Sequence, residues 1–130
     1  VALKRRLDRM AATAGLAVRS PSAGSCWTVV NRLAIEELEA WYFGDWSAVQ
    51  AAYPKVPGTI RSRAGYRDPD AVAGGTWEAF ERELQRVGYF QGGLRKIEAA
   101  RTVAAQMDPQ RNTSGSFCKL RDVLLELVRA

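Results

Sequence analysis

The sequence predicts a mostly helical α/β fragment, in which one or a few strands are packed by five or six helices. Three observations predict it. Apolar residues recur at helical spacing in one segment after another, with glycine or proline at the joints. Only one stretch, Thr28–Leu33, carries the β-branched residues that favour a strand. The chain's 130 residues suffice for one domain with its own core, so 1–130 is expected to form a single domain.

Composition narrows the class of protein. With 47% hydrophobic and 25% charged residues the chain has the profile of a globular protein. No apolar run approaches the ~20 residues that cross a bilayer. The N-terminus, Val-Ala-Leu-Lys-Arg-Arg-Leu-Asp, has basic residues with no apolar core after them, unlike a signal peptide. The expectation is a cytoplasmic protein with no membrane partner. Lys and Arg number 19 against 14 Asp and Glu, a net charge of +5, which permits contact with nucleic acid without requiring it. Histidine is absent, which excludes Cys/His zinc sites, Ser-His-Asp triads and histidine bases. Catalysis would have to use carboxylates, Lys, Arg, Tyr or a metal held by oxygen. Cys26 and Cys118 lack a partner motif and are expected to be reduced and buried. Residue 1 is Val, so the chain is expected to be trimmed or to begin inside a longer protein.

Taken in order, residues 2–15 form an amphipathic helix. Leu3, Leu7, Met10 and Ala14 make its apolar stripe, and Gly15 suits its end. Lys4, Arg5, Arg6 and Arg9 crowd the other face, either as a solvated surface or as a phosphate-contacting patch. Residues 19–25 form a loop, and the strand follows. A lone strand leaves its N–H and C=O groups unpaired, so it needs partners, either a weak strand around Leu16–Arg19 or a segment before residue 1. From Ala34 the residues are helix formers with Ile35, Leu38 and Tyr42 in register. On that helix Glu39 has Ile35 at i−4, Tyr42 at i+3, Phe43 at i+4 and Trp46 at i+7, so it points towards the core, while Glu36 and Glu37 fall nearer the edge. A carboxylate facing inward must be paired, hydrogen-bonded, protonated or bound to a metal. Gly44 breaks the helix, Asp45 caps the next one over Trp46–Tyr53, and Pro54 closes it.

Residues 54–75 hold Pro54, Pro57 and Pro69 with several glycines and read as irregular. Their Lys55, Arg61, Arg63 and Arg67 form either a nucleic-acid contact or a solvated loop. Asp68-Pro69-Asp70 is a helix start with room only for a short turn before Gly74. Thr76 caps a helix carrying Trp77, Phe80, Leu84 and Val87 inward, with Glu78, Glu81, Arg82 and Glu83 around them, and Gly88 stops it. The glycines at 92–93 lack a following Lys-Ser or Lys-Thr and are no P-loop. The next helix, 94–107, has Leu94, Ile97, Ala100, Val103, Ala104 and Met107 on its apolar face, with Lys96 beside it. After the polar loop 108–116, Ser114 or Ser116 caps a last helix with Phe117, Leu120, Leu124 and Leu127 towards the core.

Several of these stretches together resemble a known family. They are Glu-Leu-Glu-Ala-Trp-Tyr-Phe-Gly-Asp (37–45), Ala-Ala-Tyr-Pro (51–54), Tyr-Arg-Asp-Pro-Asp-Ala (66–71), Gly-Leu-Arg-Lys-Ile-Glu-Ala-Ala-Arg (93–101) and Met-Asp-Pro-Gln-Arg-Asn-Thr-Ser-Gly-Ser-Phe (107–117). In this order they resemble domain of unknown function 4276, over nearly the whole chain. The resemblance implies a TOPRIM-like fold, of which this chain would be the C-terminal part. In that α/β fold, carboxylates bind a divalent metal such as Mg²⁺ for phosphodiester chemistry. It also implies a partner ATPase of AAA or ABC type, in an arrangement similar to bacterial nuclease-based defence systems. The family's longer members carry a Glu and an Asp-rich motif ahead of the matched region, and this chain begins after both.

Two functions follow as expectations. The first is part of a metal-dependent nuclease-type protein. In it Glu39 is a metal ligand or general base, Asp45 a second metal ligand, Lys96 a catalytic or phosphate-holding cation, and Arg111, Ser114 and Ser116 an anion site at the start of the last helix. The second is a non-catalytic helical module that docks on another protein. In it Glu39 belongs to a buried ion pair with Lys96 or Arg32, Asp45 is a helix cap, and Ser114 and Ser116 are simple caps.

Overall fold

A computed structural model describes residues 2–22, 24 and 26–129. Its backbone is mostly helical, with almost no strand among the described residues. Two compact units form: residues 1–33 with 122–130, and residues 34–121. The helices are α1 (Ala2–Thr13), α2 (Glu39–Gly44), α3 (Trp46–Ala52), α4 (Thr76–Arg86), α5 (Lys96–Ala104) and α6 (Gly115–Arg129). Three short 3-10 turns, Gly58–Ser62, Ala64–Tyr66 and Pro69–Ala71, lie between α3 and α4. No helix among the described residues is long and apolar enough to cross a membrane.

In the smaller unit α1 is held mainly by polar contacts. Lys4 pairs with Asp8 at 2.6 Å, and Asn31 Nδ2 donates to Asp8 at 2.8 Å. The α1 stripe stays open, with Leu3 55% and Met10 59% exposed. Arg19 grips Glu126 of α6 through Nη2 at 2.6 Å. The strand expected over Thr28–Leu33 is reduced to one parallel bridge, Val18 to Val29. Its partner does come from the Leu16–Arg19 stretch, but the two segments share only a few bonds, such as Arg19 N–H to the Val29 carbonyl at 2.9 Å. Cys26, expected to be buried, is exposed, and Cys118 is half-buried; both are free thiols.

The larger unit holds an aromatic core. Phe43 stacks on Trp46 at 5.2 Å and on Tyr66 at 5.4 Å, and Phe80 meets Phe43 edge-on at 6.2 Å. Val49, Ile60, Leu84, Ala99 and Val103 complete it, all fully buried. The helix expected from Ala34 begins only at Glu39, because Glu36 takes a left-handed backbone (φ 62°) that a helix cannot continue through. Ile35 and Leu38 therefore lie half open instead of lining the core. In α5 the inward face is Ala99 and Val103, and Ile97, expected inside, is 73% exposed. Along α6 Val123 is the buried residue, while Leu124 and Leu127 point outward.

Candidate functional site

The motif 37–45 and the loop 108–116 meet in the larger unit, and polar side chains join them. Asp45 ends α2 and caps α3: its carboxylate accepts the Ala48 N–H at 3.4 Å. The same carboxylate accepts the Asp108 N–H at 2.9 Å and both arms of Arg111, Nε at 2.6 Å and Nη2 at 2.9 Å. Asp45 is 1% exposed. The hydrogen bonds that Arg111 donates to Asp45 hold the pKa of its guanidinium above the ordinary value. All of Asp45's lone-pair directions are thus engaged by protein donors, and Arg111, expected to hold a phosphate, holds Asp45.

The carbonyls at the C-terminal end of α2 are satisfied by the same loop. Asn112 Nδ2 donates to the Trp41 carbonyl at 2.8 Å, and Thr113 N–H to the Gly44 carbonyl at 3.0 Å. Only glycine fits at 44: a Cβ there would collide with Asn112 Oδ1 and the Ser114 nitrogen.

The start of α6 is an anion site whose anion is Asp70. One Asp70 oxygen accepts the Ser116 N–H at 2.7 Å, and the other accepts the Ser114 hydroxyl at 2.6 Å and the Ser116 hydroxyl at 3.1 Å. Ser114 Oγ also accepts the Phe117 N–H at 3.2 Å, which makes Ser114 the cap. The Trp41 indole N–H donates to Ser116 Oγ at 2.9 Å. A carboxylate here is favoured for the reason a phosphate would be, the free N–H groups and dipole of the helix end.

Glu39 differs from these. It is 5% exposed as a residue, on α2, and its carboxylate has no hydrogen bond or ion pair among the described residues; its oxygens keep access to solvent, whereas the Tyr53 hydroxyl is sealed off without a partner. Its charge adds to burial, the larger cause, in raising the Tyr42 phenol well above its ordinary value. Lys96 is not its partner. Lys96 lies over the Trp77 ring at 4.6 Å and 4.0 Å from Glu37, with its side chain half exposed. Glu37 in turn accepts the Trp77 N–H at 3.2 Å and the Thr76 hydroxyl at 3.3 Å. The capping group of α4 is therefore the Glu37 carboxylate rather than the Thr76 side chain, and Gly75 (φ 88°) holds the N-cap position.

Of the basic residues on the 54–75 stretch, Arg61 donates to Thr113 Oγ at 2.9 Å and Arg63 pairs with Glu83 at 3.2 Å, while Arg67 is exposed with no ion pair. Glu83, read from the sequence as part of an outer charged face, is 1% exposed. It accepts the Tyr66 hydroxyl at 2.8 Å and Arg86 at 2.6 Å besides Arg63.

The residues present can be tested against a divalent metal. Among the described residues no group of three His, Cys, Asp or Glu is placed to hold one. Asp45 has its oxygens committed to Arg111 and two N–H groups. Glu39 offers a carboxylate with no protein partner among the described residues, one ligand where Mg²⁺ takes one or two carboxylates, water and phosphate oxygens.

The larger unit is a helical unit in which the 37–45, 66–71 and 107–117 stretches are joined through the carboxylates of Asp45 and Asp70. A family model described as domain of unknown function (DUF4276) matches residues 2–125, and the chain belongs to that family. No curated protein and no solved structure matches the chain.

Proposed function

We propose that the chain is part of a TOPRIM-like, metal-dependent nuclease-type protein that acts with an AAA-type or ABC-type ATPase, and that Glu39 is the carboxylate it lends to the acidic site. The observation that carries this reading is Glu39 itself, a residue packed into α2 whose carboxylate has no hydrogen bond or ion pair among the described residues and keeps access to solvent. A carboxylate held in place by its packed stem, with no protein donor on its oxygens, is open to a cation. A Mg²⁺ ion bound there would neutralise charge on a phosphodiester. Asp45 supports the site by fixing the α2–α3 corner through Arg111, and Lys96 stays exposed where it could meet a phosphate oxygen. The test is Mn²⁺ calorimetry in the presence of a short DNA duplex, on the parent chain and on Glu39→Gln with matched thermal melts. Binding lost in Glu39→Gln supports the role; equal binding by both removes it.

A second reading, a non-catalytic interaction module, is favoured by a different feature. Leu38, Trp41, Ala100, Ala104, Met107 and Phe117 line an apolar hollow of about 340 Å³ on the larger unit. If neither form binds metal, docking on a protein partner through this hollow becomes the better account.

A further inference from the structure

Three arginines converge on one buried carboxylate in the larger unit. Glu83 Oε1 accepts Arg86 Nη1 at 2.6 Å and the Tyr66 hydroxyl at 2.8 Å, and Oε2 accepts Arg63 Nη1 at 3.2 Å. Arg82 Nη2 donates to the Tyr66 oxygen at 3.3 Å. Tyr66 is itself fixed by stacking on the core ring of Phe43. Satisfying Glu83 requires one guanidinium; the arrangement supplies two directly and a third through Tyr66. Glu78 also acts on Arg82 electrostatically, which still leaves three positive charges against two negative ones. Arg67, next to Tyr66 in the chain, adds an exposed charge with no ion pair among the described residues.

We propose that Arg63, Arg82 and Arg86, oriented by Glu83 and Tyr66 and extended by Arg67, form a clamp for the phosphodiester backbone of a nucleic acid. Each guanidinium carries five N–H donors and spends few of them inside the protein. The Arg63 and Arg86 side chains are 43% and 55% exposed, so their remaining donors face solvent while one hydrogen bond each tethers them to Glu83. Planar guanidinium forks suit phosphate oxygens better than ammonium groups do. Charges spread over α4 and the 58–67 turns suit a polyanion rather than a single small anion. Tyr66 is stacked on Phe43 and hydrogen-bonded to Glu83 and Arg82, and the clamp's donors are guanidinium groups, so the proposed contacts are to phosphate and independent of sequence. The choice of ligand rests on the phosphodiester reading above, but the clamp requires no metal.

The test is fluorescence anisotropy of a labelled DNA duplex in EDTA over a range of salt concentrations. Because metal is absent, the result is independent of whether Glu39 binds one. For the parent, affinity should fall with salt, and Arg82→Gln and Arg86→Gln should each reduce the slope of log K against log salt by about one. Arg82→Gln leaves Glu83 its direct partners, so it remains informative if Arg86→Gln melts early. Arg95→Gln, on a separate ion pair with Glu98, should leave the slope unchanged. The clamp is overturned by any of three results: no binding by the parent, equal slopes in the parent and in folded Arg82→Gln, or competition by poly-glutamate as effective as that by DNA at equal charge.

Discussion

Arg111 holds Asp45 with two nearly parallel bonds, Nε to Oδ1 at 2.6 Å and Nη2 to Oδ2 at 2.9 Å, across 66 residues of chain. The pair closes the 108–116 loop onto the α2–α3 corner while the same carboxylate caps α3. One acidic residue thus performs three tasks, and its removal acts on all of them. Asp45→Ala should lower stability by at least the ~1 kcal/mol of a lost helix cap, with a further loss from the freed Asp108 N–H. Arg111→Lys keeps the charge but not the two-armed geometry and should give a smaller drop. Thermal melts of the two variants check the order; equal losses would mean that charge alone matters.

Gly44→Ala should destabilise the chain by about 1–3 kcal/mol, the usual cost of forcing atoms into a packed site. The new Cβ meets Asn112 Oδ1 and the Ser114 nitrogen. Asn112 cannot swing away without giving up its bonds to the Trp41 carbonyl and the Ser114 N–H. Denaturant unfolding measures the cost. Combining the change with Asn112→Gly should recover the part of the clash due to the Asn112 side chain and leave the contact with the Ser114 nitrogen and the lost hydrogen bonds.

Tyr53→Phe should be neutral or stabilising. The Tyr53 hydroxyl is buried with no hydrogen bond of good geometry among the described residues, the Thr102 side chain being the polar group beside it, and an unsatisfied buried group costs ~1–3 kcal/mol. The ring contacts with Tyr89 at 4.9 Å and Phe90 at 5.6 Å survive the substitution. A fall in melting temperature would show that the hydroxyl does find a partner in solution.

The smaller unit should loosen in acid. Hydrogen bonding to Arg19 holds the Glu126 carboxyl below its ordinary value, and hydrogen bonding to Lys4 and then to Asn31 does the same for Asp8. For a depressed carboxyl the stabilisation is complete above the unfolded value and is lost as pH falls through the lower folded value. Amide exchange in α1 and around Val29 should therefore accelerate at pH below the ordinary 4.5 of Glu and 3.8 of Asp. Glu126→Gln should remove part of that dependence. An exchange pattern that is flat through this range would contradict both pairings.

Why some of this was legible in the sequence and some was not has a physical reason. Periodicity placed Glu39 among Tyr42, Phe43 and Trp46, and Glu39 is buried. Glu83 satisfies the same rule, with Ala79 at i−4, Phe80 at i−3 and Val87 at i+4, but its charged neighbours Glu81 and Arg82 masked it. The start of α2 was misplaced because Glu37 reaches to the start of α4, 39 residues ahead, and the turn that permits this puts Glu36 in a left-handed conformation. The chemistry at the head of α6 was readable from Ser114 and Ser116 as an anion site. That its anion is Asp70, from a turn 44 residues earlier, is set by tertiary structure and leaves no local pattern. Lys96 lies against Trp77 for the same kind of reason.

Alkaline titration reports on Glu39 without any ligand. Burial, and then the charge of Glu39, push the Tyr42 phenol well above its ordinary 10.0. A raised folded value means that the neutral phenol is favoured by folding. The stabilisation is complete below the unfolded value of 10.0 and is lost as pH rises towards the folded one. Stability should thus hold up to pH 10.0 and fall above it until the folded value is reached, with Tyr42 among the last tyrosines to show tyrosinate absorbance. In Glu39→Gln the negative neighbour is gone, so Tyr42 should ionise at lower pH than in the parent while burial still keeps it above 10.0. An unchanged Tyr42 titration in Glu39→Gln would mean that the Glu39 side chain does not act on Tyr42 and that burial alone raises the phenol.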